Sequence, residues 1–386
     1  MPDTCASTFP NASFEESVAA FIAGTIPNML QPLIARVRNM HPGVRRFGVL
    51  FRSADGLSVR RWADSDGNVA CCPDSVAAMT DNPALANILT TREAQSHKLI
   101  SDPALDWASG SETAPLIACP IQHGSRISAF LVIESLSPFR LSSTATRELT
   151  GWAPILAALL SESMKTVHTL VGTILVAHDF TSLRDKGTGQ HQHRISSYLT
   201  ILANEMSKAH GLPDGFTDEL AVFGSLHDIG KIGISDAILL KPGRFDCLEW
   251  ETMKEHVTIG RDLVGRMKRD LHLAGTPGLP TLEAVVSYHH EYLDGSGYPD
   301  GRSGDDIPLV ARLVTVADIF DALTCSRPYK RPWSADEALD HLASLAGDKI
   351  DRECVAAMHS AKEAIIATLH THAAHQDRED EDPTPN

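Results

Sequence analysis

Hydrophobic and polar positions divide the chain into two differently patterned parts. Over residues 14–38, Phe21, Ile22, Ile26, Met29, Leu30, Leu33 and Ile34 recur at helical spacing, which predicts an amphipathic helix. Phe47–Phe51 and Leu57–Trp62 then read as two strands around the turn Ser53-Ala54-Asp55-Gly56. A later strand pair, Pro115–Pro120 and Ile127–Glu134, is joined by Gln122-His123-Gly124-Ser125, and a helix follows from about Ser142. In that helix Leu160, Met164, Val167, Val171 and Ile174 fall at 4-3-4-3 spacing, an a/d seam. The seam predicts a parallel dimer helix; packing on a neighbouring domain would use the same pattern. The polar, glycine-containing Thr181–Gly189 breaks the helix. Helical patterns resume at His191 and run, with few strand signals, to about residue 371. The end carries Asp377, Glu379, Asp380, Glu381 and Asp382 with Pro383 and Pro385, which predicts a solvated, disordered tail.

Composition narrows the classes. At 386 residues the chain is long enough for two domains of ordinary size. Its 43% hydrophobic and 22% charged residues are those of a soluble globular protein. A formal net charge of −15 argues against a nucleic acid polymer as partner, which needs a basic face. It leaves room for a small anion held by metals and local cations. No apolar run approaches the roughly 18 residues of a membrane span, and the first residues lack signal-peptide order, so a cytoplasmic protein without membrane contact is expected. The 7 cysteines form no CxxC pair, which fits reduced thiols.

Chemistry concentrates in the second half, where His191, His193, His227, Asp228, His256, His289, His290, Asp318 and Asp321 lie. Histidine with aspartate suits iron, manganese or zinc better than magnesium. Such ions lower the pKa of water from ~15.7 towards ~7, which hydrolysis of a phosphate ester near neutral pH needs. Adjacent residues on a helix point about 100° apart. His227 and Asp228 can therefore reach neighbouring metal positions, with Asp228 shared. The dipeptide alone is weak evidence. The run His227-Asp228-Ile229-Gly230-Lys231-Ile232-Gly233 is stronger: its glycines admit close backbone approach, and Lys231 lies one helical turn beyond His227, placed to meet a phosphate.

This region resembles the HD superfamily of metal-dependent phosphohydrolases, and specifically its HD-GYP branch. The matches begin with Asp185-x-x-Thr188-x-x-His191-x-x-Arg194 and continue through the HDIGK run, Ile238-Leu239-Leu240-Lys241-Pro242-Gly243 and His256-x-x-x-Gly260. They close with His289-His290-Glu291-x-x-Asp294-Gly295-Ser296-Gly297-Tyr298-Pro299, Val316–Thr324 and Arg327-Pro328-Tyr329-Lys330. The resemblance implies one metal on His227, Asp228 and Asp318, with His191 as a further ligand. It implies a second on Asp228, His256, His289 and His290, Asp228 bridging the two. Asp228 and Lys231 would be catalytic, Lys231, Arg327 and Lys330 would contact substrate phosphates, and Gly297 and Tyr298 would shape the substrate pocket. Asp321 and Glu291 are expected to support ligands rather than bind metal, the alternative for Asp321 being to cap the helix or pair with Arg327. The family hydrolyses cyclic di-GMP to pGpG and on to GMP, and some members take related cyclic dinucleotides. Its GYP loop implies a GGDEF-type partner. Members often carry a glutamate, tied in some of them to a third metal, where this chain has Ser182, so two metals, iron or manganese, are expected; Asp179 and Asp185 lie nearby as candidate substitutes for it.

Residues 15–160 resemble a GAF-type sensory domain, through Ala118-Cys119-Pro120-Ile121, Phe130-Leu131-Val132-Ile133-Glu134 and Pro138-Phe139. Together the resemblances imply an α+β GAF-like sensory domain over 15–160, a linker helix over 161–182, an all-α HD-type metallophosphohydrolase domain over 183–371 and an acidic tail over 372–386. The first two would form a homodimer. The substrate could instead be cyclic GMP-AMP, or the chain could be a slow-turnover protein that binds cyclic di-GMP.

Overall fold

The computed structural model describes residues 44–53, 56–64, 69–70, 76–77, 95–98, 115–123, 126–135, 142–184, 186–213, 215–325 and 331–381, with helical or single positions at 21, 25, 35–37 and 39–41. Contacts divide the chain into two compact units, one centred on residues 22–168 and one on residues 169–386 together with residues 8–21.

The first unit is built on an antiparallel sheet. Its strands are β1 (Val44–Ser53), β2 (Gly56–Asp64), β3 (Val69–Ala70), β4 (Val76–Ala77), β5 (Gln95–Lys98), β6 (Pro115–His123) and β7 (Arg126–Ser135). Their order is β3-β2-β1-β7-β6-β5, with β4 also on β2. Both hairpins expected from alternation are present, β1 with β2 and β6 with β7. Alternation explains the core: Ile117, Cys119 and Ile121 of β6 and Ala129, Leu131 and Ile133 of β7 point to one face and are buried. Helix α1 (Ser143–Arg184) supplies Leu149, Ala153, Leu156, Leu160 and Met164 to the same cluster.

That packing changes the reading of the a/d seam. Leu160 and Met164 belong to the core of their own unit, and Val167 and Val171 are buried as well. A 4-3-4-3 stripe faces whatever apolar surface is nearest, and from Leu160 to Val171 the chain itself covers it; the side chain of Ile174 lies outside the described residues. Among the described residues, the large apolar side chains that α1 leaves exposed are Trp152, Ile155, Leu159, Val176 and Phe180.

The second unit is helical throughout its described residues, apart from turns and isolated bridges. α2 (Lys186–His210) begins inside the stretch Thr181–Gly189 that was expected to break the helix: residues 181–184 and 186–189 are helical, and Asp185 lies outside the described residues. α3 (Phe216–Gly224), a 3-10 turn (Ile229–Gly233), α4 (Asp236–Leu239), α5 (Cys247–Asp270), α6 (Leu279–Tyr288) and α7 (Leu309–Thr324) build the core of this unit. Tyr198 of α2 meets Phe320 of α7 edge-on at 5.4 Å, and Phe21 meets Phe223 of α3 at 5.0 Å. α8 (Ala335–Leu345), α9 (Arg352–Ser360) and α10 (Lys362–Glu381) complete it. α10 extends past residue 371 into the stretch expected to be a disordered tail. Its run of acids contains no breaker before Pro383, and residues 382–386 of the expected tail lie outside the described residues. No helix among the described residues is long and apolar enough to cross a membrane.

Candidate metal centre

His227 and Asp228 do not sit on a helix. α3 ends at Gly224, and the pair occupies the turn that leads into the 3-10 turn Ile229–Gly233. Gly230 is the physical reason. A Cβ there would lie 1.8 Å from the carbonyl oxygen of His256 and 2.5 Å from the amide nitrogen of Gly260. The 3-10 turn therefore lies backbone against backbone on α5, and this brings Asp228 to the ring of His256. In a 3-10 turn residues i and i+3 eclipse. Lys231 accordingly donates to Asp228 Oδ2 at 2.5 Å instead of standing over His227.

Two groups of candidate ligand atoms result. Asp228, His256, His289 and His290 form one, and His191, His227 and Asp318 the other. Asp228 faces both with separate oxygens. Its Oδ2 lies 3.4 Å from His227 Nε2 and 3.9 Å from His191 Nε2. Its Oδ1 lies 3.3 Å from His256 Nε2 and 3.9 Å from His289 Nε2. Asp318 Oδ1 stands 3.6 Å from His191 Nε2 and 4.0 Å from His227 Nε2. The floor is buried: the side chains of His227 and His289 have no exposure, whereas those of His191 and Asp318 keep 13% and 23% on the open side.

Four of the rings are held by their far nitrogens. The Nδ1 atoms of His227, His256 and His289 donate to the carbonyls of Gly224 (2.9 Å), Met253 (2.7 Å) and Val285 (2.8 Å). His191 Nδ1 donates to Asp321 Oδ2 at 2.7 Å. With the proton on Nδ1, each neutral ring turns an Nε2 lone pair inward. The Nε2 atoms of His256 and His289 then face each other at 3.3 Å, and those of His191 and His227 at 3.5 Å. Facing acceptors at that distance repel unless a cation lies among them. This donor set of imidazoles and carboxylates fits divalent transition metals.

The electrostatics agree. Burial lowers the pKa of His256, lowers that of His289 strongly and brings that of His290 to about 4, so these rings are neutral and ready to donate. Burial opposes the charge of Asp228, but Lys231, His227 and His256 hold its pKa well below the usual carboxylate range. Burial also disfavours a charged His227, and the adjacent Asp228 outweighs it and raises the pKa. A proton and a metal at His227 Nε2 are thus alternatives.

The supports come from residues distant in sequence. Arg194 grips Asp321 with two hydrogen bonds, Nε to Oδ1 at 2.7 Å and Nη2 to Oδ2 at 2.9 Å. Asp321 thus holds His191 and pairs with Arg194. Glu291 is buried and accepts from the backbone N–H groups of Asp300 (2.7 Å) and Arg302 (3.0 Å), which fixes the loop after Gly297. Gly297 packs against the His290–Tyr292 backbone so closely that a Cβ would meet Glu291 Cα at 2.4 Å. The Tyr298 ring stacks on His290, centroids 4.7 Å apart and 28° from parallel.

The structure therefore gathers His191, His227, Asp228, His256, His289, His290 and Asp318, with Lys231, Gly297 and Tyr298 beside them. Arg327 and Lys330 lie outside the described residues, as does the side chain of Ser182. Sequence reasoning left two contributors unassigned. Arg194 had a signal, its three-residue spacing from His191 on a helix. Trp250, whose ring meets Tyr298 edge-on at 6.5 Å, had none.

Residues 176–354 match the family described as the HD domain. A 3'3'-cGAMP-specific phosphodiesterase of Vibrio cholerae is 37% identical over 172 residues, 45% of this chain and 31% of that protein. A cyclic di-GMP phosphodiesterase response regulator of Xanthomonas campestris is 40% identical over 176 residues, 45% of this chain and 43% of the relative. A cyclic di-GMP phosphodiesterase of Thermotoga maritima is 40% identical over 174 residues, 45% of this chain and 44% of the relative. The chain thus spans less than half the length of these curated relatives. The helical unit that carries the histidine and aspartate cluster contains an HD domain.

Proposed function

We propose that the chain is an HD-GYP-type phosphodiesterase that hydrolyses cyclic di-GMP to pGpG, to GMP or to both. The observation that carries this reading is the Asp228 carboxylate between two ligand groups, one oxygen turned to each. Two divalent metals, iron or manganese, would occupy them. His191, His227 and Asp318 would serve one, His256, His289 and His290 the other, and Asp228 both. When bound, the metals would acidify water and draw charge from the phosphoryl oxygens. The chain's own part is orientation and charge. The Nδ1 hydrogen bonds hold the rings in place, and the buried floor limits water. Lys231, and by the family pattern Arg327 and Lys330, would offset charge developing on the phosphate. Gly297 and Tyr298 would wall the substrate pocket.

The names of the relatives support a cyclic dinucleotide and favour a second substrate, 3'3'-cGAMP, alongside the first. The test is turnover by reduced, metal-loaded protein with each dinucleotide, products separated by chromatography. Release of pGpG or GMP that is lost in Asp228→Ala is expected. Binding without release of product would replace the enzyme with a cyclic di-GMP-binding protein. Metal analysis should return two ions per chain, because Ser182 is a poor ligand; a count near three would overturn that part.

The remaining parts of the proposal concern the rest of the chain. Residues 15–160 would be a GAF-like sensory domain joined by a linker helix over 161–182 to the catalytic domain at 183–371, in a cytoplasmic homodimer. The antiparallel sheet with α1 after its last strand supports this reading. Dimer contacts on α1 would use Trp152, Ile155 and Leu159, which are exposed, instead of the buried seam. The GYP loop would meet a GGDEF-type partner.

A further inference from the structure

Trp250 is 46% exposed, although it lies one turn into a helix that also carries His256. Its position is held from several sides. The turn that leads into α5 is closed by a capping box between Asp246 and Glu249, and Lys241 donates to Glu249 Oε1 at 2.6 Å. Phe245, just before the cap, lies roughly parallel to Trp250, with ring centroids 6.4 Å apart and 29° between planes. On the other side Trp250 meets the Tyr298 ring at 6.5 Å and 80°. Tyr298 in turn stacks on His290, and Lys254 Nζ stands 5.6 Å from the Tyr298 centroid. A row of rings therefore leads from a candidate metal ligand outward: His290, Tyr298, Trp250, Phe245.

The row has a chemical consequence. A nucleotide whose phosphate sits at the Asp228 cluster carries its base one sugar away. Tyr298 has one face occupied by His290. Trp250 is the next aromatic surface outward, partly open and backed by Phe245. We propose that Trp250 is a substrate-binding residue that stacks on a purine base of the cyclic dinucleotide. The inference rests on the function proposed above and deepens it. Stacking on a π-face tolerates any base. The platform therefore binds guanine and adenine alike, and discrimination between cyclic di-GMP and cyclic GMP-AMP lies elsewhere in the pocket.

The test compares two diesters on manganese-loaded full-length protein: cyclic di-GMP, and methyl p-nitrophenyl phosphate, which carries no nucleobase. In Trp250→Ala the KM for cyclic di-GMP should rise by about 5–150-fold, the range expected for loss of one base–aromatic stack. The ratio of kcat/KM values, cyclic di-GMP over the simple diester, should fall by a similar factor. Trp250→Phe should restore the ratio to within about threefold, because a flat ring remains. Metal content of each variant is measured alongside. Equal losses on both diesters would mean that Trp250 acts through His256 or Tyr298 and would overturn the platform. An unchanged KM for cyclic di-GMP in Trp250→Ala, with active wild type, would overturn the platform and leave the function standing. Hydrolysis of the simple diester but of no cyclic dinucleotide by wild type would overturn the function and the platform together.

Discussion

Asp321 shows how a residue outside the two ligand groups can govern one of them. Its carboxylate is buried, accepts from His191 Nδ1 and is gripped by Arg194. Burial opposes its charge, and the bonds from His191 and Arg194 overcome this and hold its pKa far below the carboxylate norm. As an anion it keeps the His191 proton on Nδ1 and the lone pair of Nε2 directed inward. Loss of such an outer partner weakens metal binding by about 10–100-fold. Asp321→Asn should therefore weaken one metal by that factor in a competition titration against a chelator, while the metal near His256, His289 and His290 keeps its affinity. Parallel loss of both metals would mean that Asp321 holds the fold rather than His191. Arg194→Ala should be worse for stability, because it leaves the buried Asp321 charge with only His191 and the weak Cys325 thiol donor, 3.4 Å from Oδ1. A buried pair broken on one side costs about 3–5 kcal/mol, which denaturant titration would register.

Among the elements, the contact between the 3-10 turn Ile229–Gly233 and α5 decides whether the two ligand groups share Asp228. Gly230 allows it. Gly230→Ala would drive a methyl into the backbone of His256 and Gly260, so the turn must move off α5 and carry Asp228 with it. Overpacking of this kind costs about 1–3 kcal/mol. The variant should unfold at lower denaturant and bind less metal. Gly243→Ala is the control, since nothing lies within 4 Å of a Cβ there, and its stability should stay within about 0.5 kcal/mol of wild type. If both variants behave alike, close approach is not what Gly230 provides.

The same contact marks the limit of what could be read in advance. The hairpins β1–β2 and β6–β7 were legible because alternation is local, and the seven candidate ligands because their spacing is a pattern. That His227-Asp228 lies in a turn was not legible, since it depends on the approach of Gly230 to Gly260, thirty positions further along the chain. The grip of Arg194 on Asp321 spans 127 positions and the meeting of Trp250 with Tyr298 exists only in the folded chain. The Leu160–Val171 stripe was visible, but spacing alone does not say whether a helix stripe meets a second chain or its own sheet.

For the molecule as a whole, the division into two units makes a prediction that neither the ligand residues nor any one helix would make. The core of the first unit is its sheet with the early part of α1, whereas every candidate ligand belongs to the second. A ligand that binds only the folded state stabilises it by about 4.1 kcal/mol when present at a thousand times its dissociation constant. That stabilisation acts on the segments that must unfold to release the ligand. Hydrogen exchange of the full-length chain, with metal and after chelation, should therefore change unevenly. Peptides spanning Leu220–Leu226, Val285–His290 and Leu313–Phe320 should lose protection on chelation, because they carry or directly back the ligands. Peptides from Ile117–Ile121 and Ala129–Ile133, in the sheet core, should exchange at unchanged rates. Equal loss in both sets would show that the chain unfolds as one cooperative body, and the two units would then be a division of contacts without being a division of stability.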